Sequence, residues 1–325
     1  MIVYHIPIKN FSAAEYIAII ERIKGKCTHL VIGELINCVE WETMLDFLPG
    51  SLYNDSKRYP GAMSLDEFMP IIKTCKSVGI EVIPDFRLFS HQRKSFLNLQ
   101  DNEKAEVYAI NDRTSKVTPE VILVQNLLIN EICSVINPKI AYIGHDECFI
   151  EGTPLLNSGK LNGRPATSYE FKSSVLGLHQ TFNKMGIRMA MSGDSFIERR
   201  KFPGVIGGAN ASPETARLLD VIPKDVIMVA WNYKGITPEV IQYFTNKGHD
   251  VIGLMFDTEN TYPQLKTAIE GNPKAHPGLA TWSRSRAGKD AFIEHFATYF
   301  MPEPPAPEPA PPTTGFWKWL KRIFK

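Results

Sequence analysis

The chain has 325 residues, 44% apolar and 22% charged, which suits a globular protein with a real core and excludes a disordered one. A formal net charge of +1 excludes the broad positive field of a nucleic-acid binder. The five cysteines (Cys27, Cys38, Cys75, Cys133 and Cys148) are odd in number and nowhere in CxxC spacing. That argues against a zinc ribbon and a disulfide framework, and for small buried thiols in a reducing compartment.

The opening Met1–Tyr16 stretch lacks the basic and apolar regions of a secretion signal, and no run approaches the roughly 20 apolar residues of a membrane span. A cytoplasmic body is expected. In chain order, strands are predicted at Ile2–Pro7, His29–Glu34, Ile80–Phe86, Ile140–Gly144, Ile187–Ser192, Val226–Trp231, Val251–Phe256 and Gly278–Trp282. Helices are predicted between and after them, near 13–24, 64–78, 119–136, 167–185, 213–220, 237–247, 261–270 and 287–299. Ser64 with Glu67 makes a capping box, and Thr237-Pro238 puts proline at a first helical position. Gly79 and Gly186 fall where helices stop.

Eight strands, each followed by a helix, predict a (β/α)8 TIM barrel over residues 1–300. An open doubly wound sheet is the competing architecture, but no GxGxxG follows the first strand and no P-loop is present. The longest strand-to-helix connections, 35–63 and 87–118, leave strand C-terminal ends, where barrels keep their substrate loops. Residues 301–314 read as an extended Pro-rich linker, and no solenoid repeat appears.

The strand from Ile140 runs out into His145, Asp146 and Glu147. Ionisable groups at the exit of a buried strand are costly unless they face a cleft. Neighbouring strand residues point to opposite sides, so Asp146 and Glu147 share a pocket only if the chain leaves extended geometry there. A rim ion pair or a charge at a helix start is the bland alternative.

Several segments together resemble the catalytic barrel of glycoside hydrolase family 20, the β-N-acetylhexosaminidases. Ile143-Gly144-His145-Asp146-Glu147 is similar to that family's strand ending in Gly-Gly-Asp-Glu. The earlier stretch Met63–Phe68, then Val78–Pro84 and on to His91, is similar to that family's helix, strand and pocket histidine. Val229-Ala230-Trp231-Asn232-Tyr233 and Ala280-Thr281-Trp282-Ser283 resemble its tryptophan-bearing pocket segments. The resemblance spans most of residues 28–290 in order and spacing.

It implies substrate-assisted, retaining cleavage, without a cofactor or metal. Glu147 would protonate the leaving oxygen and later serve as base on water. Asp146 would orient the 2-acetamido group, and Tyr233 would donate a hydrogen bond to its oxygen. Such an acid must hold a proton near neutral pH, which a neighbouring carboxylate and partial burial favour, and His145 would tune it. Trp231 and Trp282 would stack on sugar faces, His91 would stand beside the pocket, and Asp194, Asp257 and Glu259 would bind sugar hydroxyls. Each has a structural alternative, as a core aromatic, a buried histidine or a helix cap. The chain departs from the family by lacking an arginine at the end of its first strand, where Glu34 on the second becomes the substitute hydroxyl binder. No counterpart of the small β-domain that often precedes the family's barrel is expected here.

Residues 315–325 sort on a helical wheel into an apolar arc of Phe316, Trp317, Trp319, Leu320, Ile323 and Phe324 and a basic arc of Lys318, Lys321, Arg322 and Lys325. A cationic amphipathic helix of this kind suits an anionic membrane surface, here the inner face, with docking on the barrel as the alternative. A catalytically inactive, membrane-recruited glycan-binding barrel is the second functional reading. A metal hydrolase built on His91, His145 and Asp146 is the third, without HxH or HExxH spacing to support it.

Overall fold

The computed structural model describes residues 1–9, 11–43, 62–91, 109–111, 114–154, 163–205, 208–233, 235–256, 262–281, 296–297 and 299–300. Parallel strands β1 (Val3–Pro7), β2 (His29–Gly33), β3 (Glu81–Pro84), β6 (Ile140–Tyr142), β7 (Arg188–Ser192), β8 (Ile227–Asn232), β9 (Val251–Phe256) and β10 (Ala275–Ala280) form one sheet. Its order is β3-β2-β1-β10-β9-β8-β7-β6. The ends meet at a parallel bridge between Asp85 and Tyr142, with Phe86 N–H donating to the Tyr142 carbonyl at 2.8 Å. This is the expected (β/α)8 barrel.

The helices form where amphipathic spacing and caps coincide. Helix α1 (Ala13–Ile23) buries Tyr16, Ile19, Ile20 and Ile23, an i, i+3, i+4, i+7 stripe, and Ser12 with Glu15 closes a capping box. A very short α2 (Leu35–Cys38) precedes α3 (Leu65–Ser77), which repeats that stripe with Phe68, Ile71, Ile72 and Cys75 and has the expected Ser64–Glu67 box. The outer ring continues with α4 (Pro119–Ile136), α5 (Ser168–Lys184), α6 (Pro213–Leu218), α7 (Pro238–Asn246) and α8 (Tyr262–Ile269). Gly79 and Gly186 adopt the left-handed stop conformation, at φ 76° and 70°. Contrary to the expectation from run length, α4 is apolar enough to cross a membrane by length and composition. Its Val124, Leu128, Ile129 and Ile132 are instead buried in the barrel's core.

Residues of alternate parity fill the barrel: Val3, Val31, Ile83, Ile227, Val229, Ile252 and Leu254 form one inner cluster. The opposite parity packs under the helices. One element was not anticipated, an antiparallel pair β4 (Ala109–Asn111) and β5 (Thr114–Ser115) inside the long connection after β3. The last barrel strand also begins earlier than predicted, at Ala275. Residues 301–325, and most of the predicted helix at 287–299, lie outside the described residues.

Candidate active site

The two carboxylates do share one cavity, because the chain leaves extended geometry just beyond β6. Ile143 N–H still donates to the Ala190 carbonyl, and Ser192 N–H to that of Gly144, so the ladder runs two residues past Tyr142. Gly144, His145 and Glu147 then take φ values of 69°, 66° and 50°. A left-handed residue with a Cβ costs roughly 1–2 kcal/mol, so two of them need support. His145 supplies it from behind the wall. Its ring is buried, stacks on Phe89 at 5.1 Å, and meets the Ser174 hydroxyl through Nε2 at 3.0 Å. Gly144 cannot be replaced lightly, since a Cβ there would sit 3.1 Å from Arg87 Cγ.

Across the turn, the stretch after β3 carries Arg87 and His91, both also left-handed at φ 41° and 55°. The unanticipated pair of short strands braces this stretch. Ser115 N–H donates to the Phe89 carbonyl, while the Ser115 hydroxyl and the Gln125 amide both donate to that of Leu88, at 2.9 and 2.7 Å. His91 Nε2 then lies 3.1 Å from Asp146 Oδ2 and 3.6 Å from Glu147 Oε2. Convergence of both carboxylates on one imidazole fixes them to the same side.

Beneath them the barrel interior turns polar. Asp85 receives Arg87 Nε at 3.0 Å and stands 3.4 Å from His5 Nε2, and Tyr142 shares a 2.5 Å hydrogen bond with Ser192. Gly33 gives the His5 ring its room, since a Cβ there would lie 2.8 Å from Nε2. The electrostatics follow from this arrangement. Burial pushes the Asp146 carboxyl up, but His91 and Arg87 outweigh it and hold the group well below the usual carboxylate range. Burial pulls the His91 imidazole down, and Asp146, with help from Glu147, more than restores it, so its affinity for a proton rises. Tyr233 keeps its phenolic proton more firmly than usual, through partial burial and then the charges of Glu147 and Asp146. Asp194 moves the other way, up to about 7, because burial and the Asp146 charge both disfavour its ionisation.

The cavity measures about 270 Å³. Glu34, Arg87 and His91 line one side, Asp146 and Glu147 another, with Tyr142 and Ser192 below. An aromatic wall completes it: Tyr233 stacks on Phe256 at 4.2 Å, and Trp231 meets both rings edge-on. Among the described residues, Asp146 Oδ1 and Trp231 Nε1 are buried without a hydrogen-bond partner, which is where a polar ligand would repay the cost of burial.

Of the predicted site residues, the structure therefore brings together Asp146, Glu147, Tyr233, Glu34, His91 and Trp231. Glu34 sits at φ 59° at the start of α2, 3.9 Å from Lys9. His145 and Asp194 are placed behind the wall rather than in it, so neither is positioned to touch a sugar. With His145 turned toward Ser174, the trio required for a metal hydrolase does not converge. Asp257, Glu259 and Trp282 lie outside the described residues. Sequence reasoning missed Arg87, Tyr142, Ser192, Leu254 and Phe256. Strand parity pointed to four of them, as inward positions at or near the C-terminal ends of their strands; Arg87 follows a strand end and gave no such signal.

No family profile and no curated protein matches the chain in sequence. Solved structures do match. The chain is 14% identical to a family 20 glycoside hydrolase catalytic module of the pneumococcal exo-β-D-N-acetylglucosaminidase, with a TM-score of 0.59 over 92% of this chain and 82% of that one. It is 12% identical to a β-N-acetylhexosaminidase of Bacteroides fragilis, TM-score 0.62, over 99% and 69% of the two chains. Dispersin B gives 14% identity and a TM-score of 0.58 over 92% and 96%. At these identities the shared property is the fold, and the chain has the barrel of the family 20 enzymes.

Proposed function

We propose that this chain is a glycosidase of the β-N-acetylhexosaminidase type, cleaving with retention through the substrate's own acetamido group. The observation that carries the reading is the convergence of Asp146 and Glu147 on one cavity walled by Trp231, Tyr233 and Phe256. Glu147 gives its proton to the glycosidic oxygen as the bond to the anomeric carbon breaks. The acetamido oxygen takes the vacated position and forms an oxazolinium ring. Glu147, now a carboxylate, removes a proton from the water that opens it. Asp146, held ionised by His91 and Arg87, accepts the acetamido N–H and balances the developing positive charge. Tyr233 donates to the acetamido oxygen. Glu34 and Arg87 replace the missing first-strand arginine as partners for the ring hydroxyls; Asp257, Glu259 and Trp282, outside the described residues, are the further candidates that the sequence offers.

Turnover of aryl N-acetyl-β-hexosaminides by wild type and Glu147→Gln tests this. Loss of the acid should lower kcat/KM by about 10²- to 10⁴-fold. Equal rates in the two proteins would remove Glu147 from the chemistry.

The sequence of residues 315–325 supports a second component, reversible attachment to an anionic membrane surface through a basic amphipathic helix. Each basic residue near such a surface contributes on the order of 1 kcal/mol. Full-length protein should co-sediment with phosphatidylserine vesicles, less so at high salt, and a 1–314 truncation should stay in the supernatant. Equal partitioning of the two would sink the attachment.

A further inference from the structure

Asp194 opens a short 3-10 turn after β7 and is 1% exposed. Its Oδ2 accepts the Glu147 backbone N–H at 2.9 Å and the Asn210 side-chain amide at 2.7 Å. The Asn210 backbone N–H returns to the Asp194 carbonyl at 2.9 Å, so the two residues lock each other. The residue gripped is the one whose left-handed φ turns its side chain into the cavity. Without that turn, Glu147 would point away from Asp146, as strand alternation dictates.

We propose that Asp194, fixed by Asn210, is the positioning residue of the active site: it holds the Glu147 backbone in the strained turn that aims the carboxyl at the scissile bond. This rests on the assignment of Glu147 as the acid, and it moves Asp194 from the sugar-binding role expected of it to a role behind the wall. A hydrogen bond from a backbone N–H to a carboxylate is about twice as strong as one to a neutral acceptor. That difference matters where the turn itself is costly. The groups facing the Asp194 carboxyl are Asp146, Glu147 and Cys148, with Asn210 on the remaining side. Burial, and then the two carboxylates, keep it protonated to higher pH than an ordinary aspartate. The clamp therefore tightens as Asp194 ionises, near neutrality.

The test uses the full-length protein and an aryl N-acetyl-β-glucosaminide, with kcat and KM followed across pH for wild type, Asp194→Ala and Asp194→Asn. A misaimed reacting group costs about 10²-fold for a displacement near 1 Å, so Asp194→Ala should lose about 10- to 100-fold in kcat with KM little changed. Asparagine still offers an oxygen to both donors, so Asp194→Asn should stay within about fivefold of wild type and lose the pH limb near neutrality. Wild-type kcat in Asp194→Ala, or an unchanged limb in Asp194→Asn, overturns the proposal. Should the alanine variant fail to fold, the asparagine profile decides. The Glu147 amide resonance gives a reading that needs no turnover. It should shift with pH near neutrality in wild type and stand still in Asp194→Asn; a resonance that stands still in both overturns the clamp. If the amide titrates while wild type cleaves nothing, the clamp stands and the glycosidase reading falls.

Discussion

The lower barrel and its mouth obey opposite rules. Below, Val3, Val31, Ile83, Ile227 and Ile252 interlock with no polar group among them, on regular parallel strands. Above, Asp85, Arg87 and Asp194 are buried, Asp146 is half-buried, and the backbone is forced into uncommon geometry. Among the described residues six non-glycine positions have positive φ, and five of them (Glu34, Arg87, His91, His145 and Glu147) stand at the mouth; the sixth, Asn137, merely ends α4. Stability resides in the lower layers, and the mouth draws on it to hold costly groups in place.

The sharpest way to break this contrast is a cavity below. Ile227 is 0% exposed, so Ile227→Ala should cost about 2–5 kcal/mol of unfolding free energy, measured by denaturant titration. The same variant should keep wild-type kcat/KM at a temperature where it is folded. Activity that falls in step with stability would mean the two regions are not separable.

A smaller effect, of opposite sign, is expected above. Asp194 binds its proton more tightly in the folded protein, up to about 7, than in the unfolded chain, where the ordinary value is near 3.8. Between those two values the folded state holds the extra proton, so stability falls as pH rises from about 4 to 7. Asp194→Asn removes the penalty and should become more stable than wild type as pH rises, by on the order of 2 kcal/mol at pH 8 after local relaxation. Thermal unfolding at both ends of that range checks it. A variant that is less stable than wild type at the upper end would show that the buried charge costs nothing.

The same division governs how much could be read in advance. Strand and helix positions of the lower barrel follow from apolar periodicity, capping boxes and terminal glycines, which act locally and leave marks in sequence. The Asp146-Glu147 pair was legible because charge at a strand exit is conspicuous, and the need for a non-extended turn followed from alternation alone. What supports that turn was not legible. Asp194 binds a residue 47 positions away, and Gln125 steadies Leu88 from 37 positions off. Such pairings exist only once the barrel has closed. Arg87 was missed for the same reason, since it lies past the end of β3 in a stretch whose path depends on the short strands at 109–115.

The barrel's closing seam has one more implication. Across this seam the pairing is reduced to the bridge of Asp85 with Tyr142 and the backbone hydrogen bonds from Phe86 to Tyr142 and from Leu88 to Ile143, where other neighbours pair along several residues of regular strand. His91 hangs from one lip of that join, and Asp146 with Glu147 from the other. Unzipping there would part the imidazole from both acids while the remaining seven strand contacts stayed intact, so chemistry would fail before architecture did.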